Sequence, residues 1–220
     1  MIDKILEYIC IFLALIVVLP AHEFAHAFTA VKSGDLTPKL NNRYTLNPLA
    51  HFDPLGLACF VFAGFGWAKP VPVNPNNFKN YKWCSFWVST AGVSANYIIS
   101  FLAFPLYFLS LSIPQFGYFT LVLQDTLYYI FAFGLVFFVF NLLPINPLDG
   151  FRAIDCFAKR RGKFYNFLKF KGIYILYALF FLSILADLTD IFYLDILGLF
   201  INFIVGYLQI PIFWFWGLIF

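Results

Sequence analysis

Charged residues are scarce in this sequence. Asp, Glu, Lys and Arg make up 11% of the 220 residues, against about 25% in an ordinary soluble domain. With 62% hydrophobic and 23% aromatic residues, there is too little polar surface to face water, which excludes a soluble globular protein and leaves the bilayer as solvent. No segment is polar and long enough to fold alone in water, which argues against a separate soluble domain. The four cysteines, Cys10, Cys59, Cys84 and Cys156, are scattered without a Cys-x-x-Cys pair. They fit neither a zinc ribbon nor a disulfide framework and are expected to be packing residues. A removable signal peptide is also disfavoured. The apolar run 5–18 passes directly into Ala21-His22-Glu23 without a small-residue cleavage pattern, so it is expected to be a retained span.

What the chain does have is apolar runs. A membrane span needs about 20 predominantly apolar residues, and five stretches qualify: 5–31, 85–113, 118–143, 172–190 and 194–219. A sixth, 55–68, is short and runs into Gly66-Trp67-Ala68-Lys69-Pro70-Val71-Pro72-Val73-Asn74-Pro75, where the prolines forbid a regular helix. The expected fold is therefore an all-α polytopic membrane protein with about five transmembrane helices plus a re-entrant or short sixth segment. We expect one membrane-embedded domain over 1–220, with a catalytic core at about 5–155 and accessory helices in 172–219.

Basic residues accumulate on the cytoplasmic side of short loops. Seven of the fourteen fall between positions 152 and 171: Arg152, Lys159, Arg160, Arg161, Lys163, Lys169 and Lys171. That loop is expected to be cytoplasmic. If 55–68 dips into the membrane and returns, thirteen basic residues lie inside and only Lys4 outside; a full crossing leaves eleven inside and three outside. The charge count thus favours the dip. It also places the 187–195 turn and the N-terminus outside and the C-terminus inside. Topology alone explains the basic loop, so no nucleic acid is expected as a partner. Trp83, Trp87, Trp214 and Trp216, near span ends, are expected interfacial anchors.

The ionisable residues that remain are concentrated. Of three histidines and two glutamates in the chain, His22, Glu23 and His26 share one pentapeptide, His22-Glu23-Phe24-Ala25-His26. Residues four apart lie on one helix face, so two imidazoles can grip one metal ion. Glu23 can then take a proton from water whose pKa zinc lowers to about 7. Ionisable groups inside an apolar span are costly and usually functional. Catalytic zinc commonly has three protein ligands, and His51, Asp53, Asp125, Asp149 and Asp155 are candidates for the third. Asp149 has the best context: it follows an apolar stretch in Asn141-Leu142-Leu143-Pro144-Ile145-Asn146-Pro147-Leu148-Asp149-Gly150. Two prolines end the helix there, and Gly150 permits a tight turn. His51 and Asp53 stay open on spacing alone.

Taken together, these motifs resemble those of the site-2 protease family of intramembrane zinc metalloproteases, in a compact form without a PDZ domain. The likeness covers about 15–155. It rests on His22–His26, the stretch Asn47–Pro54, Gly66–Asn74, Ala91-Gly92 with Asn96, and Asn141–Gly150. It implies one Zn2+ per chain held by His22, His26 and Asp149, with Glu23 as catalytic base and Asn141 holding the substrate or polarising its carbonyl. It also implies a transmembrane protein or peptide as substrate, a lipid bilayer as setting and a separate regulatory or substrate-presenting partner. The active site is expected toward the cytoplasmic face of a bacterial or archaeal plasma membrane. The chain departs from the family where Val93 follows Ala91-Gly92, a position at which relatives usually carry Pro.

Two other functions use the same histidines. A metal-ion transporter or store has no need of Glu23 and calls for further ligands through the bilayer. A non-catalytic scaffold clipped by its metal tolerates Glu23→Gln, which a protease does not.

Overall fold

The computed structural model describes residues 2–63, 66–159 and 161–220. Among them are α1 (Ile2–Lys32), α2 (Thr37–Leu40), α3 (Pro48–His51), α4 (Pro54–Ala63), α5 (Tyr81–Ser110), α6 (Tyr118–Asn141), α7 (Asp149–Asp155), α8 (Lys163–Thr189) and α9 (Ile196–Trp216). No strand occurs among the described residues; one isolated antiparallel pair joins Phe52 to Ala68. The protein is helical, as expected. Four helices (α5, α6, α8 and α9) are long and apolar enough to cross a membrane. With the 31-residue α1 they coincide with the five apolar stretches.

The centre of the fold is a three-helix packing of α1, α5 and α6. Along α1 the buried residues Cys10, Ala14, Val18, His22, His26 and Ala30 recur every four positions. The His22–His26 pentapeptide thus continues a stripe of mostly small residues, which lets helix backbones approach closely in a membrane. The facing stripe on α5 is also small: Ser85, Ser89, Gly92, Asn96, Ser100 and Ala103 are buried. On α6, Gly134 sits so near α5 that a Cβ there would lie 2.7 Å from the Asn96 carbonyl. Ala14, Val18, Ala103, Phe131, Leu135 and Ile212 close the apolar core between these helices and α9. α5 runs unbroken through Val93, which is buried, so the missing proline leaves a regular helix.

The short apolar segment does not carry the chain across. α4 has ten residues, about 15 Å of helix, half the hydrocarbon thickness of about 30 Å. The two ends of the excursion meet: Phe52 pairs with Ala68, and the Lys69 N–H donates to the His51 carbonyl at 2.7 Å. Gly56 and Trp67 are close enough that any side chain at 56 would strike the Trp67 carbonyl. Two residues of this segment, Gly64 and Phe65, lie outside the described residues, as does Arg160 of the basic loop.

Two linked expectations are corrected, the outside placement of the 187–195 turn and the inside placement of the C-terminus. The 187–195 turn was expected on the opposite side from the basic loop, but packing places it at the C-terminal end of α6. Leu197 and Ile201, at the start of α9, pack on Val139, and Phe140 of α6 meets Phe180 of α8. At the other end of α9, Phe213 meets Phe104, and beyond it Phe220 meets Phe108. α9 therefore runs antiparallel to α6 and ends beside the 110–118 connection. The turn carries aspartates but no lysine or arginine, and acidic residues contribute little to membrane orientation, so the charge count had nothing there to read. Of the four tryptophans expected as interfacial anchors, Trp83, Trp87 and Trp214 are exposed. Trp216 instead donates its indole N–H to the Phe101 carbonyl at 2.9 Å.

Candidate metal centre

The last third of α1 presents His22 and His26 on the face that packs against α5. Asp149, the first residue of α7, reaches the same point from 123 residues downstream. His26 Nε2 is 3.0 Å from His22 Nε2 and 3.0 Å from Asp149 Oδ2; His22 Nε2 is 3.2 Å from that oxygen. All three residues are buried. Among the described residues they are the group of three or more His, Cys, Asp or Glu side chains close enough to hold a metal ion.

These residues fit a zinc ion. Tetrahedral ligands about 2.0–2.2 Å from zinc lie about 3.3–3.6 Å apart, so the observed spacings need to widen by only a few tenths of an ångström. Space for the approach is kept by Gly92, where a Cβ would lie 2.6 Å from His22 Nε2 and closer still to His26 Nε2. Tautomer supplies a further match. The His26 Nδ1–H donates to the Val88 carbonyl at 2.6 Å, and a carbonyl only accepts, so the Nε2 lone pair is turned toward Asp149.

Glu23, next to His22, is buried, and its Oε2 accepts the Val71 N–H at 2.9 Å. Val71 stands between two prolines, Pro70 and Pro72, which have no N–H to give. Glu23, His22, His26 and Asp149 all line a cavity of about 800 Å³, within the usual range for ligand sites. Asn141 lines it too, with its amide donating to the Phe137 carbonyl at 3.0 Å. The cavity extends to Arg152, whose guanidinium is exposed and 3.9 Å from Asp149 Oδ1.

Gly150 is not the turn that the sequence suggested. It is the second residue of α7, and a Cβ there would strike the Leu142 carbonyl and come within 2.7 Å of that of Leu143. Its role is close approach: it lets α7 press onto the end of α6, which sets Asp149 beside α1.

The other candidates go elsewhere. His51 is fully buried, and its Nε2–H donates to the Thr45 carbonyl at 2.8 Å. Asp53 accepts the N–H groups of Leu55 and Gly56, which caps the start of α4. Asp125 is exposed on α6, near the end away from Asn141. Asp155 takes the Tyr165 hydroxyl and the Lys169 ammonium.

Three supporting groups escaped the sequence reading. The Val71 N–H and the Val88 carbonyl are backbone groups, which no residue type announces. Asp35 is the third. It is fully buried and accepts from the Thr37 hydroxyl and N–H, the Asn74 N–H at 2.7 Å and the Asn77 amide at 2.8 Å. Burial alone would raise the pKa of its carboxyl, but these hydrogen bonds outweigh it and hold the group below the usual carboxylate range. Asp35 thereby ties residues 74–77 to the end of α1, and Glu23 ties Val71 to the last third of the same helix.

Comparison with known proteins finds two relatives whose names carry the same metal. A Bacillus subtilis (strain 168) protein named "Putative zinc metalloprotease YwhC" is 42% identical over 145 residues, 65% of this chain and 66% of the relative. A Mycolicibacterium smegmatis (strain ATCC 700084 / mc(2)155) protein named "Putative zinc metalloprotease Rip2" is 30% identical over 167 residues, 68% of this chain and 59% of the relative. No family model and no solved structure matches the chain. Four of the described helices are long and apolar enough to cross a membrane, and the chain is similar to two proteins named for zinc metalloprotease activity. The chain belongs to the site-2 protease family. It spans 66% and 59% of the lengths of these two relatives.

Proposed function

We propose that this protein is an intramembrane zinc metalloprotease that hydrolyses peptide bonds of transmembrane substrates. The observation that carries the reading is the meeting of His22, His26 and Asp149 in the same cavity as Glu23 and Asn141. A transporter or a metal-clipped scaffold gives no reason for a buried carboxylate beside the ligands.

His22, His26 and Asp149 would hold one zinc ion, which when bound polarises the scissile carbonyl and activates water. Val71 fixes one carboxylate oxygen of Glu23, so the other is the base. Glu23 takes a proton from the attacking water as the water oxygen bonds to the carbonyl carbon. It returns that proton to the leaving nitrogen as the C–N bond breaks, giving a carboxylic acid and an amine. The Asn141 amide, released from the Phe137 carbonyl, would donate to the developing negative oxygen.

A helical substrate hides its carbonyls in its own hydrogen bonds, so the substrate must unwind locally. The extended Lys69–Val73 segment is a ready partner for such a strand. Along it, Pro70 and Pro72 can only accept hydrogen bonds, which suits an incoming strand that donates its N–H groups. Residues 5–155 form the catalytic core in this reading, and the basic loop after α7 sets the cavity mouth toward the cytoplasmic side of a bacterial or archaeal plasma membrane. A separate partner presents substrates to it.

The test is cleavage of a transmembrane peptide by the purified full chain in lipid bilayers. Activity lost with a zinc chelator and restored by zinc supports the reading. Chelator-resistant cleavage, or zinc flux across the bilayer without cleavage, refutes it.

A further inference from the structure

His22 and His26 are supported differently. His26 Nδ1 faces a backbone carbonyl, which accepts only and therefore serves one tautomer. His22 Nδ1 faces an amide: Asn96 Nδ2 lies 3.0 Å away. Asn96 is fully buried, and its Oδ1 is buried with no hydrogen-bond partner. Buried polar groups are ordinarily satisfied, so this orphan oxygen, attached to the group that touches a metal-site imidazole, calls for a reason.

As placed, the Asn96 amide serves only one tautomer of His22. With Asn96 donating to Nδ1, the His22 proton is on Nε2. There it sits between two acceptors, His26 Nε2 at 3.0 Å and Asp149 Oδ2 at 3.2 Å. That tautomer cannot ligate zinc through Nε2. A metal needs the Nε2 lone pair, so the proton must move to Nδ1, where an amide N–H would oppose it. A half-turn about the Cβ–Cγ bond of Asn96 removes the conflict by bringing Oδ1 to Nδ1–H and giving the orphan oxygen a partner.

We infer that Asn96 is the positioning residue of His22 and serves both of its tautomers, donating to Nδ1 when the site is empty and accepting from Nδ1–H when it holds metal. This rests on the zinc reading above and assigns a residue to the state change that loading requires. Zinc takes the place of one proton between the three ligands, and that proton passes from Nε2 to Nδ1 of the same ring. Among the common side chains of this size, only an amide offers both a donor and an acceptor at its tip without charge. Aspartate would fix the metal-ready tautomer, and leucine would serve neither.

The experiment uses the full chain in detergent or nanodiscs, with zinc affinity measured by competition against a chromophoric chelator for wild type, Asn96→Asp and Asn96→Leu. Metal-site histidines that lose such a partner typically lose about 10–100-fold in affinity; that is the loss expected for Asn96→Leu, with Asn96→Asp staying near wild type. Histidine 15N spectra, simple because the chain has three histidines, should show His22 as the Nε2–H tautomer without zinc and as Nδ1–H with it. Wild-type affinity in Asn96→Leu, or an Nδ1–H tautomer in both states, overturns the assignment. Should Asn96→Leu fail to fold, a Asn96→Asp variant that loses affinity as far as a ligand substitution also overturns it. If wild type itself takes up no zinc, the underlying metal reading falls instead.

Discussion

The Glu23 carboxylate and the Val71 backbone N–H lie 2.9 Å apart, joining the motif helix to the extended segment that follows the membrane excursion. Two prolines flank the donor, so Val71 holds the one N–H of residues 70–72. The carboxylate that the mechanism needs as a base is also the anchor of the segment beside it.

Replacing Val71 by proline removes that donor. A hydrogen bond to a charged group contributes about 1.5–3 kcal/mol, so the variant should melt earlier in detergent by a corresponding amount. Its zinc content should stay normal, because Glu23 is not among the three ligands, while cleavage falls. Glu23→Gln behaves oppositely: its amide oxygen still accepts from Val71, so stability is kept and activity is lost. Equal melting of Val71→Pro and wild type would show that the contact carries no stability.

Gly92→Ala tests the space between the imidazoles. Its Cβ would fall 2.6 Å from His22 Nε2, where the ligands must converge. We expect zinc affinity to drop beyond the roughly 10–100-fold typical of losing an outer partner. Elemental analysis of the purified variant checks this; near-stoichiometric zinc contradicts it.

Gly150→Ala tests how Asp149 is set. A Cβ there meets the backbone carbonyls of Leu142 and Leu143, which cannot rotate away. Overpacking typically costs about 1–3 kcal/mol, and the shift of α7 should also lower zinc affinity. A variant with unchanged melting and zinc content would mean that α7 is not pressed against the end of α6.

The pH dependence of stability follows from Asp35. Its folded carboxyl titrates below its unfolded value of about 3.9, so the unfolded chain binds more protons over that interval. The stabilisation is complete above about pH 4 to 5 and is lost as pH falls through the lower folded value. Asp35→Asn should be less stable at neutral pH and show a flatter acid limb. Melting curves between pH 3 and 7 are the check, and parallel curves for the two proteins would exclude the effect.

Much of this was readable beforehand because it depends on residue types at fixed spacing. Long apolar runs announced the helices, and a His-Glu-x-x-His pentapeptide within one marked the face on which His22 and His26 meet Asp149. The prolines and glycine around Asp149 marked a helix end, but not how it is used: Gly150 serves close packing, a property of the neighbour it meets. The α8–α9 turn was misplaced because three aspartates and no lysine give the charge rule nothing to act on. Val71 and Val88 act through their backbones and so were invisible. Asn96 entered only as a position of the family resemblance beside Gly92; its partner His22 lies 74 residues away, and only the folded chain pairs them.

The most direct measurement is zinc content and cleavage for wild type, Glu23→Gln and Asp149→Ala, purified together and given the same transmembrane peptide. Wild type and Glu23→Gln should each hold about one zinc, as three ligands imply, with only wild type cutting, while Asp149→Ala should lose both metal and activity. Cleavage by Glu23→Gln at the wild-type rate would remove the base from the mechanism and the protease reading with it.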